Sequence, residues 1–269
     1  MSIKDWLSHS IDQLRQAGVE TARLDTEILL AHALQKDRSW IHINGEYVLS
    51  DEAITRLKIQ ITRRARHEPV AYILGYHEFY GRTFAVNQDT LTPRPETETL
   101  VELAIDFIKS QSITSVTDVG TGTGCIAITL DLETNAKIIA TDISEKALDI
   151  ARANNKTLGS TVEFRLSDVH TDPTPEASLV VANLPYVPVD YTINKAAEHE
   201  PAVALFSGKD GLDHYRKLFN NLSAKTEYVI TESLETQHEE LAAIARVAGF
   251  MLVDSRDLVQ IFSREPKTT

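Results

Sequence analysis

Cysteine is nearly absent: Cys125 stands alone among 269 residues, which excludes an internal disulfide and fits a reducing compartment. Long apolar runs are missing too. No stretch approaches the ~20 residues needed to cross a bilayer, and Met1-Ser2-Ile3-Lys4-Asp5-Trp6 carries no extended apolar leader. A cytoplasmic protein with no membrane partner is the expectation. The nine histidines include no His-x-x-x-His pair, so neither a structural nor a catalytic metal site is expected. Positive charge is scarce: 27 Lys and Arg face 39 Asp and Glu, a formal net charge of −12. An acidic surface argues against broad, phosphate-driven binding of nucleic acid, while leaving room for a local basic groove. What the chain does have is apolar residues at 42%, enough for a substantial core, with no fixed-period repeat and no low-complexity tract.

Residues 1–67 read as a small helical domain. Leu7, Ile11 and Leu14 recur at helical spacing before Gly18; Leu24, Ile28, Ala31 and Leu34 form a second stripe, and Ile54, Leu57 and Ile61 a third. The third stripe ends in Arg63-Arg64-Ala65-Arg66, which suits a solvated helix C-terminus or, alternatively, contact with a nucleic-acid-bearing partner. Residues 68–95 change character, with Tyr72, Tyr76, Phe79, Tyr80 and Phe84 around Gly75 and Gly81, and read as a linker or hairpin. Pro93 and Pro95 then precede Glu96-Thr97-Glu98 and an apolar stripe, a helix start that opens a third region, 96–269. There, strands expected at 115–119, 137–142, 162–166, 179–183, 228–232 and 259–263 alternate with helical stripes at 126–130, 147–151, 212–222 and 241–248. Such alternation predicts an α/β fold with a mainly parallel sheet covered on both faces.

The first of these strands runs into Asp118-Val119-Gly120-Thr121-Gly122-Thr123-Gly124-Cys125. Glycines there let the backbone turn sharply and approach a ligand at a helix N-terminus, although a plain strand-to-helix turn uses the same residues. The Gly-x-Gly-x-Gly spacing differs from the dinucleotide pattern, and Asp118 would repel a phosphate and attract an ammonium group. Asp142 ends the next strand, where a carboxylate can accept hydrogen bonds from both hydroxyls of a ribose or, alternatively, cap the following helix. Asp168, after the third strand, stands where an adenine amino group would be read. The fourth strand ends in Asn183-Leu184-Pro185-Tyr186. Asn both donates and accepts hydrogen bonds, Pro stiffens the turn, and Tyr offers a flat face, a set suited to a planar amide or exocyclic amine.

Glycine loop, ribose-type acid, third acid and terminal Asn-x-Pro-Tyr occur in the order found in S-adenosylmethionine-dependent methyltransferases. The chain resembles one family within them, the peptide chain release factor glutamine N5-methyltransferases. The resemblance rests on Arg23-Leu24-Asp25 with Ile28-Leu29-Leu30-Ala31-His32, Glu68 through Gly75, Phe79-Tyr80-Gly81, Leu91-Thr92-Pro93-Arg94-Pro95-Glu96-Thr97-Glu98, the glycine loop, Glu200-Pro201, and Gly208-Lys209-Asp210-Gly211-Leu212-Asp213. It implies a Rossmann-like class I methyltransferase sheet and a helical N-terminal domain that recognises substrate. It also implies S-adenosylmethionine as cofactor and a class 1 release factor, with its Gly-Gly-Gln loop, as partner. Carried over by residue, Asp118, Gly120, Thr121, Gly122, Thr123, Gly124, Asp142, Asp168, Val169 and Asn183 would bind the cofactor. Asn183, Leu184, Pro185 and Tyr186 would bind the glutamine, with Asn183 and Tyr186 catalytic, and Arg94 and Glu98 would close over the site. Two positions depart from the family pattern: Leu184 replaces the usual proline, and Val169 the usual aromatic residue. Asn-Leu-Pro-Tyr is similar to the site of ribosomal RNA adenine dimethyltransferases, so an N6-adenine methyltransferase acting on RNA or DNA is the competing expectation.

Overall fold

In a computed structural model the chain is described over residues 1–169 and 171–265; positions 266–269, the end of the expected third region, lie outside the described residues. The chain divides into two compact units, one of residues 1–76 with 193–199, the other of residues 77–192 with 200–269.

The first unit follows the helical stripes of the sequence: α1 (Ile3–Gln16), α2 (Ala22–Leu34), α3 (Arg38–Ile43), α4 (Asp51–Arg64) and α5 (Val70–Leu74). Side chains that accept otherwise orphaned backbone N–H groups start three of them: Ser2 from Asp5, Asp37 from Trp40, and Ser50 from Ala53. Ile3, Trp6, Leu14, Leu29, Leu30, Leu57 and Ile61 supply the buried faces and share one core. The arginine cluster is largely consumed inside the unit. Arg64 donates to Asp25 at 2.7 Å in a buried ion pair, and Arg63 donates through Nε to Glu68 at 2.8 Å. Two of its three guanidinium groups therefore serve the fold. Residues 193–199 belong to this unit as well, and His199 Nε2 donates to the Arg66 carbonyl at 2.9 Å.

The second unit opens with a hairpin of β1 (Tyr76–Phe79) and β2 (Arg82–Ala85). Its two turn residues, Tyr80 and Gly81, have φ of +50° and +68°, the left-handed pair that matches the twist of a tight hairpin. Then come α6 (Glu96–Ser110), β3 (Ser115–Val119), α7 (Cys125–Glu133), β4 (Lys137–Asp142), α8 (Glu145–Leu158), β5 (Glu163–Leu166), β6 (Leu179–Ala182), α9 (Asp213–Asn220), β7 (Tyr228–Glu232), α10 (His238–Val247), β8 (Phe250–Arg256) and β9 (Val259–Arg264). β1 and β2 pair only with each other, and the other seven strands form one sheet in the order β5-β4-β3-β6-β7-β9-β8. The first five are mutually parallel, while β9 runs antiparallel to β7 and β8 antiparallel to β9.

β6 shows how the sheet is covered. Its four residues are all buried, Leu179 and Val181 entering one apolar core and Val180 and Ala182 another. Alternate side chains thus face opposite layers, as an uninterrupted apolar run in a central strand requires. β8 is the strand that sequence patterning misses. Past Phe250 its residues Met251 through Arg256 are all exposed, and the register with β9 shifts between Leu252 and Asp254. An edge strand with a bulge carries no inward alternation for a period-two pattern to detect. No helix among the described residues is long and apolar enough to cross a membrane.

Candidate active site

Strand order reverses between β3 and β6, which leaves a crevice at the carboxyl ends of the central strands. A cavity opens there. Val119 and Gly120 line it after β3, Asp142 and Ile143 after β4, Ser167 to Val169 after β5, and Asn183 to Pro185 after β6. The loop after β3 needs its glycines. Gly120, Gly122 and Gly124 all have positive φ, at +77°, +55° and +81°. A Cβ on Gly124 would lie 2.9 Å from Ile128 and 3.2 Å from Ala151, where α7 and α8 approach; one on Gly120 would lie 2.8 Å from Leu184 Cδ2.

Asp142 faces this cavity with both oxygens already anchored. Oδ2 accepts the Gly122 N–H at 2.8 Å and Oδ1 the Ser144 N–H at 2.9 Å. The helix-capping duty falls to Ser144, whose hydroxyl accepts from Ala147 at the start of α8. Asp142 is thus fixed in place at the cavity wall, and each of its oxygens can still accept a further hydrogen bond. Burial raises its pKa, against the backbone N–H groups of Ser144, Gly122 and Ile143 that favour the carboxylate. Asn221 donates to the Val169 carbonyl at 2.6 Å and ties down the loop after β5 that carries Asp168 and Val169.

Asp118, Thr121, Thr123 and Gly124 stand behind the cavity wall and are not among its lining residues. Asp118 is fully buried, its Oδ2 accepting from the Thr121 hydroxyl at 2.6 Å and its Oδ1 without a partner. The carboxyl group braces the loop from below. Burial pushes its pKa from 3.8 up to about 7, outweighing the Thr121 hydrogen bond. From about pH 4 to about pH 7 the folded chain therefore holds a proton that the unfolded chain has released. Stability from this group is full at low pH and declines across that window as pH rises. Asp118→Asn cannot titrate, so denaturant unfolding as a function of pH should show a flatter slope for the variant. Identical slopes would refute this. Cys125, in the first turn of α7, is likewise buried, and its thiol is pushed up to about 12. It packs as a small apolar residue.

After β6, Asn183, Leu184 and Pro185 line the cavity, whereas Tyr186 does not. Asn183 Nδ2 donates to Thr97 Oγ1 at 2.9 Å, which turns the amide oxygen away from Thr97. The Leu184 side chain is buried against Gly120, in the core under the turn, so its identity serves packing. The backbone N–H that leucine has and proline lacks is used: it donates to the Tyr215 hydroxyl at 3.2 Å, and that hydroxyl donates to the Glu232 carbonyl. Leu184→Pro should accordingly lose a buried hydrogen bond and core packing together, about 1–3 kcal/mol by chemical denaturation. An unchanged midpoint would show that both contacts are idle. Tyr186 donates its hydroxyl to Glu232 Oε1 at 3.1 Å, and its carbonyl accepts from Gln237 Nε2 at 2.8 Å. Burial, with Glu232 beside it, pushes the Tyr186 pKa up, so its hydroxyl stays protonated.

Sequence reasoning did not nominate Thr97, Tyr215, Glu232 or Gln237. Glu232 left one usable sign, an acid closing a buried apolar strand that pairs beside β6, with Ala182 opposite Thr231. Arg94 and Glu98, expected to close over the site, both have partners within the second unit. Arg94 pairs with the buried carboxylate of Glu200, which also accepts the Thr92 N–H at 3.1 Å. Glu98 accepts the Tyr80 N–H at 2.8 Å and so holds the hairpin turn.

Two family models match the chain: the PrmC N-terminal domain over residues 5–75 and a methyltransferase domain over residues 116–199. A release factor glutamine methyltransferase of Koribacter versatilis is 38% identical over 224 residues, covering 81% of this chain and 80% of the relative. Another so named, from Cereibacter sphaeroides, is 37% identical over 262 residues and covers 94% of this chain and 93% of its own. Among solved structures, the hMettl16 catalytic domain superposes with a TM-score of 0.53 at 13% identity, covering 84% of this chain and 87% of that one, a likeness of fold alone.

Proposed function

The chain belongs to the release factor glutamine methyltransferases, and from that premise we propose that it methylates the side-chain amide nitrogen of the glutamine in the Gly-Gly-Gln motif of peptide chain release factors. The observation that carries this reading is the anchored Asn183. With Nδ2 committed to Thr97, its free acceptor is Oδ1, on a residue that lines the cavity.

The residues around the crevice fit S-adenosylmethionine. Gly120 and Gly122 bring bare backbone to the cavity wall, and Asp142 would hold the ribose. Asp168 and Val169, which line the same cavity, would border the adenine. When bound, the cofactor supplies an electrophilic methyl group on a cationic sulfur. The chain's own task is to make an amide nitrogen available, although its lone pair is delocalised into the neighbouring carbonyl. Asn183 Oδ1 and the Leu184 carbonyl would accept the two amide N–H groups and hold the nitrogen in one orientation. Tyr186 stays a neutral hydroxyl and anchors the end of the turn. Positioning of this kind can contribute up to about 7–11 kcal/mol of a barrier.

The test is direct. The purified chain, methyl-labelled cofactor and a class 1 release factor are incubated together, and the product is mapped by mass spectrometry. Label on the Gly-Gly-Gln glutamine is the expected result. No label there, or faster labelling of bare RNA adenine, would overturn the reading.

A further inference from the structure

Resting on the reading of the crevice as an S-adenosylmethionine site, we infer that Asn154 is a positioning residue for the cofactor: its side-chain amide joins the glycine loop to the segment carrying Asp89, Thr90 and Leu91, and so fixes the separation of two cavity walls. Asn154 lies on α8 and is buried. It does not line the cavity, so it acts only through the backbone that it holds. Both amide hydrogens and the oxygen are engaged. Nδ2 donates to the Thr123 carbonyl at 2.9 Å and to the Ala85 carbonyl at 3.1 Å, while Oδ1 accepts the Ala85 N–H at 2.8 Å. An amide can donate twice and accept at once, which neither a carboxylate nor a hydroxyl can do.

The groups it joins come from separate parts of the chain. Thr123 belongs to the Gly120–Gly124 loop, whose Gly120 and Gly122 line the cavity. Ala85 ends β2, and the chain reaches the cavity wall soon after, at Asp89. α8 itself begins beside the cavity, with Ser144 and Ala147 in the wall. The path from Ala85 to the wall is short and internally braced. Asn87 accepts the Asp89 N–H on its side chain at 2.9 Å and the Thr90 N–H on its carbonyl at 3.2 Å. Beyond Leu91, the Thr92 N–H donates to the buried carboxylate of Glu200 at 3.1 Å. Asn154 thus pins one end of a segment that Glu200 pins at the other. The helix also meets the loop by packing, since a Cβ on Gly124 would lie 3.2 Å from Ala151, one turn before Asn154. A further tie between α8 and the segment, the Lys146–Asp89 pair at 3.5 Å, has an exposed lysine, and such pairs contribute little. Without the amide, the carbonyl of buried Thr123 loses this partner, and loop and segment are no longer held by a common group. Cofactor binding would then have to order both walls, which weakens it.

The test is Asn154→Ala, with cofactor affinity by calorimetry and kcat on a release factor at saturating cofactor. The expected result is a Kd for S-adenosylmethionine raised about 10-fold or more. In contrast, kcat should stay within about threefold, because the Asn183–Tyr186 turn is anchored by Thr97, Tyr215 and Gln237. Ile113→Ala, a core truncation before β3 at the end of the sheet away from the cavity, is the reference for a purely structural loss, and its Kd should stay within about twofold. A folded Asn154→Ala with unchanged Kd, or an equal rise in Ile113→Ala, overturns the inference. If Asn154→Ala does not fold, hydrogen exchange of the wild-type chain carries the test. Coupling is reciprocal, so saturating cofactor should slow exchange of the Ala85 amide, outside the cavity lining, about 10-fold more than that of Val229 in the buried centre of β7. Equal slowing at both amides overturns the inference. A wild-type chain that binds no S-adenosylmethionine overturns the reading of the crevice and this inference with it, whereas a wild-type affinity kept by the variant overturns the inference alone.

Discussion

Asn183→Ala is expected to lower kcat for glutamine methylation by about 100- to 1,000-fold while leaving cofactor affinity within a few fold. The substitution removes the carbonyl oxygen that would orient the acceptor nitrogen. It also removes a group whose position the protein has fixed in advance, through Thr97 at 2.9 Å. Asp142, proposed to hold the ribose, draws its own anchoring from Gly122 and Ser144 and is not hydrogen-bonded to Asn183. The two halves of the cavity are thus separable. Calorimetry with the cofactor and single-turnover kinetics with the release factor measure them independently. Loss of cofactor binding on the same scale as turnover would show that Asn183 is structural.

Gly211→Ala should be the most damaging small substitution in the second unit, at about 3 kcal/mol or more of stability together with loss of activity. Gly211 has φ of +82°, and a Cβ there would lie 2.1 Å from the Tyr186 carbonyl oxygen and 2.3 Å from Gln237 Nε2. Neither atom can yield cheaply, because Gln237 Nε2 donates at 2.8 Å both to that carbonyl and to the carbonyl of Asp210. The acceptor turn and the Gly208–Asp213 loop are held by one side-chain amide. Gly159 is the control. Its φ is +73°, but nothing lies within 4 Å of its missing Cβ, so Gly159→Ala should cost only about 1 kcal/mol. Equal losses at both positions, measured by thermal and chemical unfolding, would mean that φ alone matters and the close approach does not.

The contrast between these positions explains what the sequence could and could not disclose. Three of the four strands that meet the cavity were legible as largely apolar runs that end at a polar or glycine residue: Val119 into Gly120, Thr141 into Asp142, Ala182 into Asn183. The acceptor tetrapeptide was legible for the same reason. Its support was not. Thr97 lies 86 positions from Asn183 and Glu232 lies 46 from Tyr186, and no local pattern connects them. Leu184 was legible as a departure from the family; that its side chain turns down onto Gly120 was not. Asp118 read from spacing as a cavity carboxylate, yet it sits fully buried beneath the loop. β8 was invisible because an exposed, bulged edge carries no hydrophobic alternation.

The state of Cys125 has a practical consequence. A thiol pushed up to about 12 is almost wholly protonated near neutrality and is shielded by the first turn of α7. The native chain is therefore a nearly silent background for alkylating dyes. A cysteine introduced at a solvent-facing position such as Val247, which is 90% exposed, would take up a maleimide fluorophore or spin label selectively. Distances between such a label and a tagged release factor could then be followed in solution, with the natural thiol left in place.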